Sequence, residues 1–233
     1  MAALSRSDYR DALEVVYAAG EVTSTVAFPE LVLDALRRLV PCEVVTFHEH
    51  SETRNRVLVH VGEPAGRMTP EIRAAHRRYR HQDPFRPAAG ARTTSDVADL
   101  RSYRRTGLYR CVDRPLGIAY MLQLYVDPGV TDARIEFDRA DSDFSERDRG
   151  VLDLLLPHLR QSVRRARPRA RLARLSPRER QVVEHVADGR TNAEIAWILE
   201  ISPETVRKHL ENAYAKLGVH NRTAAAAAAL RSR

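Results

Sequence analysis

The most constraining feature of this sequence is a series of three helix starts near its C-terminal end. A capping residue opens each of them, at Ser176, Thr191 and Ser202. Such side chains accept a hydrogen bond from the first helical turn, and the proline that follows both serines fits the first helical position. Gly189 and Gly218 lie where the first and third helices would end. The pattern predicts short helices joined by tight turns.

The helix after Ser202 has an apolar side and a charged side. Its apolar stripe has spacings of four, three and four residues and consists of Val206, Leu210, Ala213 and Leu217. At about 100° per residue, the opposite side carries Glu204, Arg207, Lys208 and Glu211. Two helices joined by a tight turn, the second of them amphipathic, predict a helix-turn-helix whose charged side faces a partner. An alanine-rich helix is expected over residues 222–230.

Charge divides the chain into two parts. Residues 1–159 hold 22 basic and 24 acidic side chains, whereas residues 160–233 hold 16 basic and 7 acidic ones. A near-neutral body with a strongly basic end indicates that the end binds a polyanion such as nucleic acid. Lys208 and Lys216 are the only lysines, so the sequence before them has no Schiff-base or Walker lysine. Since the sequence also shows no nucleophile motif and no cluster with metal-ligand spacing, we expect neither an enzyme nor a cofactor.

The C-terminal motifs together resemble the LuxR-type (GerE-type) DNA-binding domain. The resemblance rests on segments that occur in the family's order, at residues 175–180, 192–196, 201–210, 216–219 and 221–224. It implies a four-helix unit over residues 170–233 that binds double-stranded DNA as a dimer. The helix after Ser202 would read the major groove, and the last helix would often supply the dimer contact.

The resemblance places Arg207, Lys208 and Glu211 at base-reading positions. Arginine and lysine can donate to guanine, and glutamate can accept from cytosine. Glu211 departs from the family, where this position is often neutral or basic. An alternative stays open, because Glu204–Lys208 and Arg207–Glu211 are also spaced as surface ion pairs.

Other positions implied by the resemblance lie near the phosphates or brace the domain, and these are Thr205, Lys216 and Arg222. The helix starts offer free backbone N–H groups, which suit phosphates. They add Thr191, Asn192 and Ser202 to the expected DNA-binding residues.

The first part of the chain is predicted to be an α+β unit with an antiparallel sheet. Helices are expected over residues 8–19, 26–39 and 70–80, and strands over 44–48, 56–61, 117–126 and 134–138. In outline this order is similar to GAF- and PAS-like sensor domains. We therefore expect a sensor or dimerisation domain over 1–144, a linker helix over 145–169 and the helix-turn-helix domain over 170–233.

The expected linker helix carries an apolar seam at helical spacing, formed by Leu152, Leu155, Leu159, Val163 and Ala166. Such a seam can pair with another copy of itself or pack on its own sheet, and both interpretations stay open. Pro168 is expected to end the helix, because proline removes a backbone donor.

Aromatic side chains are the candidate pocket lining of the first part, namely Phe47, Tyr79, Phe85, Tyr103 and Tyr109. The same residues are often plain core. Acyl-homoserine-lactone receptors of the same broad family resemble each other in a pocket tryptophan, which residues 1–159 lack. We expect no metal site, and we expect the sole tryptophan, Trp197, to be buried or partly covered.

The sequence as a whole predicts a cytoplasmic, sequence-specific transcriptional regulator. Its start is polar, and no apolar run is long enough to span a membrane. The expected partners are double-stranded DNA, a second copy of the chain, a small molecule and RNA polymerase. The alternative is that the N-terminal domain binds no ligand and serves only for dimerisation or protein docking.

Overall fold

The computed structural model describes residues 4–51, 56–62, 67–85, 90–128 and 132–230. The chain forms two compact units. The first consists of Met1–Val22 and Phe28–Val163, and the second of Thr23–Ala27 and Arg164–Arg233. Over the described ranges, none of the helices combines the length and apolar character needed to cross a membrane.

The first unit combines helices with one sheet. Its helices are α1 (Arg6–Gly20), α2 (Glu30–Leu39), α3 (Pro70–Tyr79), α4 (Thr94–Val97), α5 (Leu100–Tyr103) and the first part of α6 (Glu146–Ala173). A 3-10 turn covers Arg80–Gln82 and a π-helical turn covers Tyr109–Asp113. The strands are β1 (Val44–Ser51), β2 (Arg56–Val61), β3 (Ala91–Thr93), β4 (Tyr120–Pro128) and β5 (Asp132–Arg139).

Neighbouring strands of the sheet are antiparallel and follow the order β2-β1-β5-β4-β3. The predicted mixture of helices with an antiparallel sheet is confirmed. Strand β3 was not predicted, because three residues are too few to show an alternating pattern. Helix α2 begins only after Pro29, later than the predicted start at residue 26.

One face of the sheet is apolar and forms the core of the first unit. Phe47, Ile135 and Leu124 lie side by side on β1, β5 and β4, and none is more than 1% exposed. Phe28 packs edge-on against Phe47, with the ring centroids 4.8 Å apart. Helix α2 covers β1, so the candidate pocket residue Phe47 is core on this face.

Arg147 ties the first two helices to the start of α6. Its Nε donates to Asp8 Oδ1 over 2.9 Å, and its Nη1 donates to the carbonyl of Leu39 over 2.6 Å. The same Asp8 accepts the backbone N–H of Ser5 and so completes the capping box of α1. These contacts lower the pKa of Asp8 to about 2, the hydrogen bond from Arg147 being the largest cause.

Helix α6 runs without a break through Pro157 and Pro168. The prediction that Pro168 ends the helix is wrong. A proline in a helix interior costs about 3 kcal/mol, yet α6 has a buried residue on each side of it, Ala166 and Leu172. Leucines of the predicted seam are buried in the first unit (Leu152, Leu155 and Leu159), which favours packing within the chain.

The second unit contains the end of α6 and the helices α7 (Pro177–Ala187), α8 (Asn192–Leu199), α9 (Pro203–Leu217) and α10 (Arg222–Leu230). The three predicted caps are confirmed, since Ser176, Thr191 and Ser202 each accept a backbone hydrogen bond from the first turn. Gly189 and Gly218 have φ angles of 82° and 67°, the left-handed values that favour glycine after a helix.

An ion pair between a buried carboxylate and a partly exposed ammonium group holds α7 to α9. Lys216 Nζ lies 2.6 Å from Glu179 Oε2, and the Glu179 side chain is 6% exposed. Glu179 also accepts the backbone N–H of Ser176. Burial alone would raise the pKa of Glu179, but the hydrogen bonds from Lys216 and Ser176 outweigh it and lower the pKa below its usual range.

We expect Asp8→Asn to lower the free energy of unfolding of the first unit at pH 6. At pH 3 the variant and the wild type should differ less in that free energy. The pKa of Asp8 is lower in the folded protein than in the unfolded chain. Its contribution is therefore complete above about pH 4 and is lost as the pH falls towards 2. Urea unfolding followed by circular dichroism measures both differences. Asp11→Asn on the same helix is the control, and a pH-independent difference for Asp8→Asn would contradict the prediction.

We expect Lys216→Met to destabilise the second unit by about 1–3 kcal/mol, because it leaves the buried Glu179 carboxylate without its cation. The double variant Glu179→Gln, Lys216→Met should recover much of that loss. Lys208→Met, at an exposed position of α9, is the matched control. Thermal unfolding by circular dichroism compares the variants, and a single variant as stable as wild type would rule out the brace.

Candidate nucleic-acid interface and the polar layer of the first unit

Helix α9 buries its apolar stripe and exposes its charged side. The stripe residues Val206, Leu210, Ala213 and Leu217 are at most 4% exposed. On the opposite side, Arg207 and Glu211 each have 64% of their side-chain surface exposed, and Lys208 is exposed too. The side that was predicted to face a duplex is therefore open to solvent.

Arg207 lies between two carboxylates on the open side of α9. It donates from Nη2 and Nε to Glu204 Oε1 over 2.6 and 3.1 Å, and its Nε is 3.9 Å from Glu211 Oε1. The surface pair Arg207–Glu211 is thus present, whereas Glu204 bonds Arg207 instead of Lys208. Exposed pairs of this kind are weak, about 0.3–0.5 kcal/mol each, so a DNA group can displace them.

The starts of α8 and α9 differ in how their carboxylates are bound. At α8 the carboxylate of Glu194 accepts the backbone N–H of Thr191 over 2.6 Å, which places a negative charge at that helix end. At α9 the corresponding third residue is the uncharged Thr205, whose N–H donates to the Ser202 hydroxyl over 3.0 Å. The first turn of α9 also carries a carboxylate, that of Glu204, but Glu204 is bound to Arg207 and does not cap the helix.

Two of the predicted DNA-binding residues brace the domain. Arg222 donates to Asn192 Oδ1 over 2.9 Å and to the carbonyl of Arg190, and so joins α10 to the start of α8. Lys216 is bound to Glu179. The resemblance implied that Lys216 and Arg222 either lie near the phosphates or brace the domain. The contacts described here are bracing contacts.

Trp197 is 83% exposed, so the prediction that it is buried or partly covered is wrong. The buried residues of α8 are Ile195 and Ala196. At about 100° per residue, Trp197 lies on the outer side of that helix. The positions of Ile195 and Ala196 on α8 already indicated that Trp197 points outwards. This positional signal is stronger than the general tendency of tryptophan to be covered. Trp197 lines a shallow recess together with Ala196, Ile198, Glu200, Ile201 and Ser202.

The second face of the sheet in the first unit is polar and largely buried. Thr46, Glu136 and Gln123 lie in register across β1, β5 and β4, and Gln123 is only 2% exposed. The next row along the strands consists of His48, Arg134 and Tyr125. We call the side chains of this face, with those that bond them from above, the polar layer.

Gln123 is the central hydrogen-bonding residue of the polar layer. Its Nε2 donates to Glu136 Oε2 over 2.7 Å. Its Oε1 accepts from Tyr125 over 3.2 Å and from Arg134 over 3.3 Å. Alternating polar residues along β4 and β5 were the sequence signal for this face, and the search for aromatic pocket residues missed it.

A layer of turns and short helices covers the polar face. Tyr103 donates its hydroxyl to Asp113 Oδ2 over 2.6 Å, and Arg67 lies 3.2 Å from Asp138. Four of the five aromatic candidates belong to this cover. Phe85 and Tyr103 are buried in its cluster, and Tyr79 and Tyr109 pack against that cluster. Phe47 belongs to the opposite face of the sheet.

Three carboxyl groups of the polar layer have raised pKa values. Burial raises the pKa of Asp113 to about 7, against the opposing hydrogen bond from Tyr103. Burial likewise raises the pKa of Glu136 and that of Asp138, where the charge of Glu136 adds to the effect. In addition, Asp138 Oδ1 is buried without a hydrogen-bond partner among the described residues. Within those same residues, no group of three potential metal ligands occurs.

Residues 173–229 match the family model described as bacterial regulatory proteins, luxR family (GerE). RpaR of Rhodopseudomonas palustris, a quorum sensing-dependent transcriptional regulator, is 39% identical over 113 residues, which cover 48% of this chain and 46% of RpaR. The transcriptional activator BjaR1 of Bradyrhizobium diazoefficiens is 47% identical over 58 residues, or 25% of this chain and 24% of BjaR1. The chain thus spans less than half the length of these relatives, which are named regulators and not enzymes.

Solved structures resemble the chain over nearly its whole length. The crystal structure of Escherichia coli SdiA has a TM-score of 0.54 at 20% identity and covers 96% of this chain and 97% of that one. SdiA in complex with octanoyl-rac-glycerol has a TM-score of 0.51 at 18% identity. The two units therefore share the SdiA fold. With the family match and the open face of α9, the C-terminal unit is similar to the helix-turn-helix domain of the luxR family of bacterial regulatory proteins.

Proposed function

We propose that the chain is a sequence-specific transcriptional regulator that binds operator DNA as a dimer. The observation that carries this proposal is the open, charged side of α9, with Arg207 and Lys208 exposed, in a unit that matches the luxR family model. The helix would enter the major groove, with Arg207, Lys208 and Glu211 facing base edges. Ser202 and Thr205, at the start of the same helix, would face the phosphates.

The three proposed base-reading residues have different roles. Lys208 has no ion-pair partner in the part of the chain that the structure describes, so it is available to a guanine or a phosphate. Arg207 would exchange its contact with Glu204 for a guanine, and Glu211 would accept from cytosine. Lys216 and Arg222 would act by bracing, while Thr191 and Asn192 lie at the start of α8.

Operation as a dimer follows from the small reading surface of one helix. A helix-turn-helix reads a half-site of a few base pairs, and two copies bound one helical turn apart double the specific contacts. RNA polymerase is a further proposed partner, since a bound regulator acts on transcription through it.

We also propose that the first unit is a small-molecule sensor, in the manner of GAF- and PAS-like domains. The supporting observation is the polar layer, where hydrogen-bonding groups lie beneath an aromatic cover, as is typical of ligand sites. The structural neighbour SdiA has been solved with octanoyl-rac-glycerol. The alternative is a ligand-free module for dimerisation or docking.

We expect Arg207→Ala and Lys208→Ala each to weaken binding to a cognate duplex by about 1–3 kcal/mol. The duplex would be selected from a random library by the wild-type full-length protein, and affinity would be measured by fluorescence anisotropy at several salt concentrations. Arg77→Ala, which removes the same charge from an exposed site in the first unit, is the control.

The salt dependence of these variants separates base reading from phosphate contact. Losing a phosphate contact lowers the salt slope by about 0.9 and weakens all sequences alike. Losing a base contact relaxes the sequence preference at one position. If both variants bind the selected duplex as tightly as wild type, α9 does not read it.

For sensing, we expect the full-length protein purified from a bacterial host to carry a small molecule of defined mass. Native mass spectrometry detects it, and denaturation releases it. Asp113→Asn and Tyr103→Phe should lower its occupancy, because they alter the hydrogen bond at the edge of the polar layer. Asp141→Asn, at an exposed position, is the control. A wild-type protein without a bound molecule, even after incubation with cell extract, would support the ligand-free alternative.

A further inference from the structure

Helix α1 carries an exposed apolar stripe that no element of the described structure covers. Tyr9, Leu13 and Tyr17 are 52%, 68% and 72% exposed and are spaced four residues apart. The opposite side of the helix is buried through Ala12 and Val15. Large exposed apolar side chains in a row are typical of an interaction surface.

Charged residues flank one edge of this stripe in a polarised order. At about 100° per residue, Arg6 and Arg10 lie on the same edge as Glu14 and Glu21. The two arginines are in the first half of the helix, and the two glutamates are at and beyond its middle. All four are exposed, and the described residues provide none of them with an ion-pair partner.

We propose that the Tyr9–Leu13–Tyr17 stripe binds the same stripe of a second copy of this chain, antiparallel about a two-fold axis at Leu13. The inference deepens the proposed dimeric function and rests on it. A two-fold axis perpendicular to the helices reverses the direction of the partner helix. It also brings the charged edge of one copy next to the same edge of the other copy. With a rise of about 1.5 Å per residue, Arg10 then lies next to the partner's Glu14, and Arg6 next to the partner's Glu21.

The charge order is what selects a second copy as the occupant. An isologous interface must be complementary to itself, and an arrangement with cations in one half and anions in the other meets that condition only when antiparallel. A parallel two-fold pairing would instead place this edge against the opposite edge of the partner, away from the partner's charged residues. The two tyrosines also exchange places across the axis, so Tyr9 packs beside the partner's Tyr17.

Leu31 of α2, the helix that packs against α1, is 66% exposed and is a further large apolar side chain that is open to a partner.

Cysteine crosslinking of the full-length protein without DNA tests the geometry. The background is Cys111→Ser, because Cys111 is exposed, whereas burial raises the pKa of Cys42 to about 12 and keeps it a thiol. We expect Leu13→Cys to form a disulfide-linked dimer on oxidation. Arg101→Cys, exposed on α5, should remain monomeric under the same oxidation.

Tyr9→Cys and Tyr17→Cys distinguish the antiparallel arrangement from other pairings. They should crosslink with each other when the two variants are mixed, and each should crosslink poorly with itself. Self-crosslinking of both variants without the mixed product would indicate a parallel pairing and would overturn the proposal.

Sedimentation of the same full-length protein tests the energetics. Leu13→Asp and Arg10→Glu should each raise the dimer dissociation constant about tenfold or more, since each places a charge against apolar or like-charged groups. The charge swap Arg10→Glu, Glu14→Arg should restore the dimer, because each new pair is again opposite in sign. Circular dichroism verifies that the exposed substitutions leave the fold intact.

Two outcomes separate this inference from the proposed function. If Leu13→Asp still forms the wild-type dimer and binds the selected duplex, the α1 surface is wrong while dimeric DNA binding stands. If the wild-type protein is monomeric both free and on DNA, the dimeric function and this surface fail together.

Discussion

The packing of one side of α9 is the constraint on which the second unit depends. Burying Val206 and Leu210 fixes the rotation of the helix, and that rotation places Arg207 and Lys208 on the outside. The braces from Lys216 to Glu179 and from Arg222 to Asn192 hold the neighbouring helices around it. The apolar side therefore determines which residues of α9 are open to a partner.

The sheet of the first unit has one apolar face and one polar face, and the two have different roles. Its apolar face supplies the core through residues such as Phe47 and Leu124, so the other face is free to be polar. Burying that second face costs desolvation, which the hydrogen bonds of Gln123 partly offset. An interior layer of this kind is poor at supplying stability and suited to recognising a polar molecule.

Structural features that depend on only a few neighbouring residues could be predicted from the sequence. The caps at Ser176, Thr191 and Ser202 and the left-handed Gly218 follow from the geometry of a single turn, so they could be predicted. Strand β3 could not, because a three-residue strand exists only through its partner β4. Pro168 misled the prediction, since tertiary packing can outweigh the local preference of proline.

The candidate sites show the same division. The charged side of α9 could be predicted, because a helix repeats regularly along the chain. The polar layer brings Gln123, Glu136 and Asp113 together from distant segments. Alternation along β4 and β5 marks the polar face, but it does not show which residues meet there. Trp197 was misjudged because residue type was given more weight than its position on α8.

The hydrogen bonds from Arg207 to Glu204 would compete with any contact between Arg207 and DNA. The helix holds the Glu204 carboxylate next to the Arg207 guanidinium, so Glu204 competes with every other acceptor for that side chain. A phosphate or a guanine edge can each accept two hydrogen bonds from a guanidinium, so either would have to displace the contact with Glu204. Under the proposed function, the exchange of this contact would reduce the net gain of every Arg207 contact with DNA by about 0.3–0.5 kcal/mol.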